Sequence, residues 1–490
     1  MQLGNKTIDE AMIAEVVNEV LSRLKQPAAQ RSAEALPGIP SRRPPGIDGS
    51  NTYGVFSDVD EAVKAAQEAQ RQLTRASVET RKTAVECIRS VMRHDKEELA
   101  RLEFEETKLG KLAHKVEKLE VAASVPGVEM LRTEATSGDH GLTVTEYAPY
   151  GVIGVVTPVT HSIPTLGCNA IMMIAAGNSL VCNPHPSGAK CATEATRRWN
   201  KATFERVGIK NLICVIAPPT VETATAIFEH PGVQMLCATG GPLVARAALT
   251  SGKRAVAAGP GNPPVVVDET ADIEKAGKAI VAGAAYDNGV LCISEKELFV
   301  VQSVADALMD AMVRGGGHRL SPDEMERLTS IVLHEDENSG HWVPRKEFVG
   351  RDPQVLADAI DLRVGPKVKL LFGQTDETSP LVTCEQMMPL LPIVVVKDVH
   401  EAIDKAVVYE HGFKHTAIMW SRDVERLTEM GKACDTTVYV KNGPCVAGLG
   451  IGGQGYASFS IASPTGEGVT SPLSFTRYRR CTMVDSLRIF

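Results

Sequence analysis

The sequence predicts an α/β protein built on a parallel sheet, followed by a second α/β region. Three observations carry this. Four short β-rich runs alternate with helical stretches between residues 152 and 241. Those runs end on Thr157-Pro158, Asn183-Pro184-His185 and Thr239-Gly240-Gly241. A Gly/Pro turn at 259–264 then restarts a similar alternation, which runs to about residue 440. Strands joined by helical crossovers lie parallel, and ligands bind outside their carboxyl ends.

Taken in order, the chain opens with an amphipathic helix. Ile8, Met12, Ile13, Val16, Val17, Val20, Leu21 and Leu24 recur at helical spacing, leaving Asp9, Glu10, Glu15 and Glu19 elsewhere. Residues 26–52 hold Pro27, Pro37, Pro40, Pro44, Pro45 and three glycines, which marks a linker. A tethered helix can dock on another protein or fold back on its own body, and the linker favours docking. Its acids argue against a mitochondrial presequence, and its periodic apolar residues against a secretory signal.

The globular body begins near Tyr53. Asp58 followed by Glu61 reads as a capping box opening a helix over 59–73, with helical sequence to about residue 119. Strands are expected at 152–157, 179–182, 212–216 and 233–237, with helices at 165–176, 187–207 and 221–229 between or before them. This is the pattern of a Rossmann-like nucleotide-binding sheet. Gly448-Leu449-Gly450-Ile451-Gly452-Gly453 satisfies G-x-G-x-x-G, but residues 456–461 after it are poor helix sequence. A dinucleotide fingerprint must open a helix, so this is read as a flexible glycine loop lining the site. The stretch from Tyr456 looks β-like or irregular.

Composition narrows the function. With 43% hydrophobic and 23% charged residues, the 490-residue chain is an ordinary globular protein of two or three domains. A net charge of -8 argues against a general nucleic-acid binder, and no apolar run reaches membrane-helix length. The 11 cysteines include no CxxC pair and no metal-ligand spacing, so a reducing compartment and no metal site are expected.

Cys292 stands apart. It lies in Asp287-Asn288-Gly289-Val290-Leu291-Cys292-Ile293-Ser294, downstream of the Gly/Pro turn and the strand-like Val265-Val266-Val267. A loop after such a segment can present a thiol to a ligand cleft. Attack on a carbonyl needs the thiolate, so the site must lower this pKa or hold a base nearby.

Over residues 53–490 the chain resembles the aldehyde dehydrogenase superfamily, more narrowly the CoA-acylating propionaldehyde or acetaldehyde dehydrogenases of bacterial microcompartments. The motifs are Gly151-Val152-Ile153-Gly154 leading to Thr157-Pro158, Asn183-Pro184-His185-Pro186, Thr239-Gly240-Gly241, Gly259-Pro260-Gly261-Asn262-Pro263-Pro264, Cys292, Glu385 and Lys441-Asn442-Gly443-Pro444-Cys445. The resemblance implies an aldehyde dehydrogenase-like α/β fold with a small β oligomerisation arm. It implies an NAD- and CoA-binding domain at 53–257 with an arm segment at about 138–150, a catalytic domain at 258–440, and a tail at 441–490 that carries the glycine loop. Homodimers or homotetramers follow from it.

The same resemblance makes Cys292 the nucleophile, NAD the hydride acceptor, CoA the acyl acceptor and a short-chain aldehyde the substrate. Thr157, Pro158, Asn183, His185, Thr239, Gly240, Gly241 and Glu385 would hold the cofactor. Asn183 replaces a lysine of non-acylating relatives, which favours NAD over NADP. Thr160 and His161 stand where an asparagine-bearing stretch is usual, and either can donate to the oxyanion. Hydrolytic relatives carry a glutamate where this chain has Ala258; without that base, thiolysis by CoA is favoured over hydrolysis. Residues 8–24 would target shell proteins, placing the enzyme inside a microcompartment in the cytoplasm. The competing readings are a hydrolytic or semialdehyde dehydrogenase and an inactive shell-binding scaffold.

Overall fold

Two parallel sheets, of six and seven strands, form the framework of the described residues. The computed structural model describes residues 53–337 and 340–488, within the compact unit Asn51–Phe490. The amphipathic helix at 8–24 and the linker at 26–52 lie outside the described residues.

The first sheet contains β1 (Val55–Phe56), β4 (Val152–Thr157), β5 (Ser179–Pro184), β6 (Ile213–Ile216), β7 (Met235–Thr239) and β8 (Arg254–Ala258), while β2 (Glu134–Gly138) and β3 (Gly141–Pro149) lie elsewhere. Its order is β1-β6-β5-β4-β7-β8, with every pair parallel. All six residues of β4 and of β5 are buried, which explains their near-continuous apolar runs. Gly154 in β4 is required by packing: a Cβ there would come within 2.6 Å of Ile227. The helix Ser162–Ala175 is buried along its whole length, and Val221–Glu229 covers the expected 221–229. Asp58 caps Val59–Arg75 by accepting from the Glu61 N–H at 2.9 Å.

The second sheet is built from β9 (Pro264–Val267), β10 (Glu297–Val301), β11 (Gly317–Arg319), β14 (Leu370–Gln374), β15 (Leu390–Val396), β16 (Thr416–Trp420) and β17 (Val438–Lys441). The order is β11-β14-β15-β10-β9-β16-β17, again all parallel. β12 (Leu333–Glu335) and β13 (Trp342–Pro344) form a small hairpin, and β18 (Ile461–Ala462) pairs with β19 (Gly468–Val469).

The tail resolves the ambiguity left by its composition. After two short strands it forms β20 (Thr476–Val484), antiparallel to β3, which in turn pairs with β2. This three-stranded arm spans the expected segment at 138–150. Asn178 ties the tail to the first sheet. Its Oδ1 accepts from the N–H groups of Tyr150 and Gly151 at 2.8 and 3.0 Å, and its Nδ2 donates to the Phe475 carbonyl at 2.9 Å.

Candidate active site

Sequence order explains where the site lies. From β4 the chain moves through β5 and β6 to one side, then returns to place β7 and β8 on the other. The carboxyl ends of β4 and β7 therefore diverge, the usual ligand crevice of such a sheet. A cavity of about 330 Å³ lies there, within the range of small-molecule sites.

The first sheet contributes Pro158, Thr160 and His161 after β4, His185 after β5, and Thr239, Gly240 and Gly241 at and after β7. Ala258 comes from the end of β8. From the second region come Cys292, Val290, Glu385 and Met387, and from the tail Phe459 and Ile461. Nine of the expected residues thus share one cavity with Ala258: Cys292, Thr160, His161, Pro158, His185, Thr239, Gly240, Gly241 and Glu385.

Thr157 and Asn183 do not reach it. Thr157 is buried, its hydroxyl 3.9 Å from the Cys182 thiol. Asn183 accepts from the Thr223 hydroxyl at 2.6 Å and donates to the Thr220 carbonyl at 3.2 Å, so it braces the start of helix Val221–Glu229. The glycine loop at 448–455 is also absent from the cavity lining; Phe459 and Ile461 take that wall.

Cys292 occupies a turn between the 3-10 helix Tyr286–Gly289 and β10, closed by the Ser294 N–H donating to the Leu291 carbonyl at 3.1 Å. Asp287, Asn288 and Gly289 take φ values of 49°, 56° and 73° in succession. Two non-glycine residues there are costly and must be held by their surroundings. Asp287 Oδ1 accepts from the Lys111 N–H at 2.7 Å, and Asn288 Nδ2 donates to the Gly350 carbonyl and Asp352 at 3.0 Å each. The turn at 259–264 approaches from the opposite side. A Cβ on Gly261 would lie 2.5 Å from the Cys292 carbonyl oxygen, so only glycine fits.

Of the two alternatives expected from the sequence, a lowered thiol pKa or a base nearby, the electrostatics do not supply the first. Cys292 is partly exposed, yet burial pushes its thiol up to about 12, with the charge of Glu385 adding to burial and Lys296 opposing it. Glu385 is itself raised to about 7 by burial, against the pull of Lys296. Lys296, missed from sequence, is buried and donates to the Gly289 carbonyl at 2.6 Å. The site in this state holds a thiol rather than a thiolate.

His161 is buried, and burial followed by the charges of Lys118 and Lys115 holds it well below the usual imidazole range. It is neutral at physiological pH, with its ring 5.6 Å from that of Phe459. A neutral imidazole retains one N–H to donate. His415 is off the cavity lining; its Nδ1 lies 2.9 Å from the Thr416 hydroxyl and burial lowers it to about 4.

One edge of the cavity suits the phosphates of a dinucleotide. Helix Pro242–Thr250 starts at Gly241 with no side chain capping it, so its first N–H groups are available to phosphate oxygens. A Cβ on Gly241 would meet nothing within 4 Å, which leaves room for close approach. Among the described residues no His/Cys/Asp/Glu cluster could hold a metal, and no helix is long and apolar enough to cross a membrane.

Comparison with known proteins agrees with this geometry. The model of the aldehyde dehydrogenase family matches residues 52–322. An acetylating acetaldehyde dehydrogenase of Salmonella typhimurium is 44% identical over 438 residues, covering 89% of this chain and 93% of that protein. A CoA-propanoylating propanal dehydrogenase of the same organism is 39% identical over the same shares. A propionaldehyde dehydrogenase from the Clostridium phytofermentans fucose utilisation bacterial microcompartment superposes with a TM-score of 0.86 at 41% identity, covering 89% of this chain and all of that one. A Rhodopseudomonas palustris propionaldehyde dehydrogenase solved with bound CoA and an acylated cysteine gives 0.86 at 43% identity over 89% of this chain and 99% of that one. Family match, sequence identity and structural superposition together place this chain in the aldehyde dehydrogenase family.

Proposed function

We propose that this protein oxidises a short-chain aldehyde, propionaldehyde or acetaldehyde, to its acyl-CoA with NAD as oxidant. One observation carries the acylating reading. Of the described residues lining the cavity, the sole carboxylate is Glu385, and the end of β8 presents Ala258 where a water-activating base would stand. The relatives named acetylating or CoA-propanoylating agree with it.

In this reading the Cys292 thiol gives its proton to solvent water and its sulfur bonds to the carbonyl carbon, while the carbonyl π pair moves onto oxygen. The oxyanion accepts hydrogen bonds from the Cys292 backbone N–H and from the Thr160–His161 turn. NAD⁺ supplies the hydride acceptor when bound, and its positive charge favours the thiolate. Collapse of the oxyanion leaves an acyl thioester on Cys292. The thiol of CoA gives its proton to solvent, its sulfur bonds to that acyl carbon and the Cys292–acyl bond breaks, returning the thiolate. The N–H groups of Gly241 and Leu243, which no side chain caps, would hold the cofactor phosphates, and Glu385 would accept from ribose hydroxyls. Asn183 offers no ammonium to a 2′-phosphate, in keeping with NAD. The apolar wall of Val290, Met387, Phe459 and Ile461 suits a short alkyl chain.

In this reading the sequence at residues 8–24 serves as the docking peptide for microcompartment shell proteins, and the enzyme works inside such a compartment. The sequence periodicity and the microcompartment origin of a structural relative support this. The exposed strand β20 supports assembly of homodimers or homotetramers through the arm.

The decisive experiment is intact-mass analysis after adding propanal and NAD⁺. An acyl adduct on Cys292 that clears on adding CoA and persists in water is expected. NADH formation at the same rate without CoA would overturn the acylating reading.

A further inference from the structure

Four ionisable side chains form a buried chain beneath the cavity, and the reaction above uses none of them. Glu103 and Lys115 pair at 2.9 Å, and Lys118 pairs with Asp287. Glu103 and Lys115 are 1% exposed, Lys118 and Asp287 0%. Glu103, Lys115 and Lys118 come from helices Lys96–Thr107 and Leu112–Ala122, outside both sheets; Asp287 comes from the left-handed segment leading to Cys292.

Two bonds leave this chain toward the opposite wall. Lys118 Nζ donates to the Thr160 carbonyl at 3.3 Å, and Glu103 Oε2 accepts from the Ile163 N–H at 3.0 Å. His161 therefore lies between two backbone positions held by the chain. Through Asp287, Lys118 is also bonded to the loop that carries the nucleophile. One ammonium thus touches both walls of the cavity from behind.

Stability alone does not account for such an arrangement. Burying ions is costly, and well-packed apolar residues are often as stabilising as a buried pair. The Asp287 carboxyl is nevertheless held below its ordinary range, Lys118 and Lys115 outweighing burial, while burial and then Lys115 lower Lys118 against the pull of Asp287. A charged, oriented pair fixes distance and direction in a way that apolar packing does not.

We infer that Lys118 and Asp287 are a positioning pair that sets the Thr160–His161 turn against the Cys292 loop, fixing the oxyanion-binding wall relative to the nucleophile. This rests on the acylating reading above and adds residues to it. Neither side chain lines the cavity, so neither touches substrate or cofactor. Displacing a wall of a catalytic site by about 1 Å costs on the order of 100-fold in rate.

The test uses the full-length chain as Lys118→Met, Asp287→Asn and the double variant, with rates expressed per Cys292 that becomes acylated. Both single variants should lose about 100-fold in the rate of adduct formation and in kcat, with KM for NAD within about threefold of wild type. Because the residues act as a unit, the double variant should be within about threefold of the slower single. A rate per acylated Cys292 within about twofold of wild type in a folded single variant would overturn the inference. So would a double variant whose loss equals the product of the singles. A purely structural role would lower the melting temperature and the fraction of active sites but leave the rate per site intact. Should Lys118→Met lack a cooperative unfolding transition, Asp287→Asn, which keeps the side-chain shape, decides the matter by the same criteria. Wild-type adduct clearance by CoA reports separately on the acylating reading.

Discussion

Ala258, the last residue of β8, and Cys292, in the turn before β10, line the same cavity. A side chain added at Ala258 would therefore enter the space where an acylated Cys292 is attacked. We expect Ala258→Glu to introduce a base for water and raise CoA-independent NADH formation by at least about 10-fold, since general-base assistance contributes roughly 10²–10⁴-fold. Comparing NADH production from propanal with and without CoA checks this. An Ala258→Glu enzyme that stays as CoA-dependent as wild type counts against the missing carboxylate as the reason for thiolysis.

Glu385 and Cys292 oppose one another electrostatically. The carboxyl is raised to about 7, so its charge is present above that pH, and that charge adds to burial in raising the thiol. Removing it lowers the thiol pKa and increases the thiolate fraction at a given alkaline pH. Glu385→Gln should alkylate at Cys292 up to about 10-fold faster at pH 8–9, corresponding to a shift of about one unit. Below pH 6, where Glu385 is largely neutral in the wild type, the two proteins should converge. Mass-resolved iodoacetamide kinetics, with Cys292→Ala as the blank, read this directly.

Glu295 makes stability depend on pH. It is 3% exposed, its Oε1 accepts from the Cys445 N–H at 2.9 Å, and its Oε2 has no partner. Burial raises it from 4.5 to about 7. A carboxyl with a raised folded pKa contributes stability below its unfolded value, and that contribution is lost as pH climbs through the folded value. The loss amounts to about 3 kcal/mol between pH 4.5 and 7. Glu295→Gln should reduce the difference in unfolding free energy between pH 5 and pH 8 by roughly 2–3 kcal/mol. Urea unfolding at the two pH values measures it.

Asn178 is the joint between the tail and the first sheet. Asn178→Ala leaves the Tyr150 and Gly151 N–H groups and the Phe475 carbonyl without the partner they have in the wild type. The Phe475 carbonyl is buried and the two N–H groups partly so; an unsatisfied buried group costs about 1–3 kcal/mol, so a loss of roughly 2 kcal/mol is expected. Thermal or urea denaturation checks the size, and a variant within about 0.5 kcal/mol of wild type would discount the joint.

Much of the first sheet was legible because its strands are buried on both faces. Val152–Thr157 and Ser179–Pro184 read as apolar runs, and Val221–Glu229 begins at a Thr220–Thr223 capping box that can be located in sequence. The glycine loop at 448–455 was harder. Its composition suggests a site, but backbone flexibility carries no information on direction, and Phe459 and Ile461 hold the wall instead. Asn183 was ambiguous for a similar reason. A polar residue at a strand end is equally suited to a ligand or to a neighbouring helix start, and here Thr220 and Thr223 claim it.

The sequence by itself determined the position of Cys292 in a loop after the Gly/Pro turn, the alternation that makes a parallel sheet, and the lack of a carboxylate at Ala258. Those are local matters: residue type, period and motif spacing. Only the tertiary structure decided that Cys292 is held as a thiol, that Glu385 shares its field, and that Lys118 reaches Thr160 and Asp287 at once. Burial and charge depend on what the rest of the chain brings near a group. Lys118 and Asp287 are 169 residues apart in sequence, and nothing local to either records that they meet.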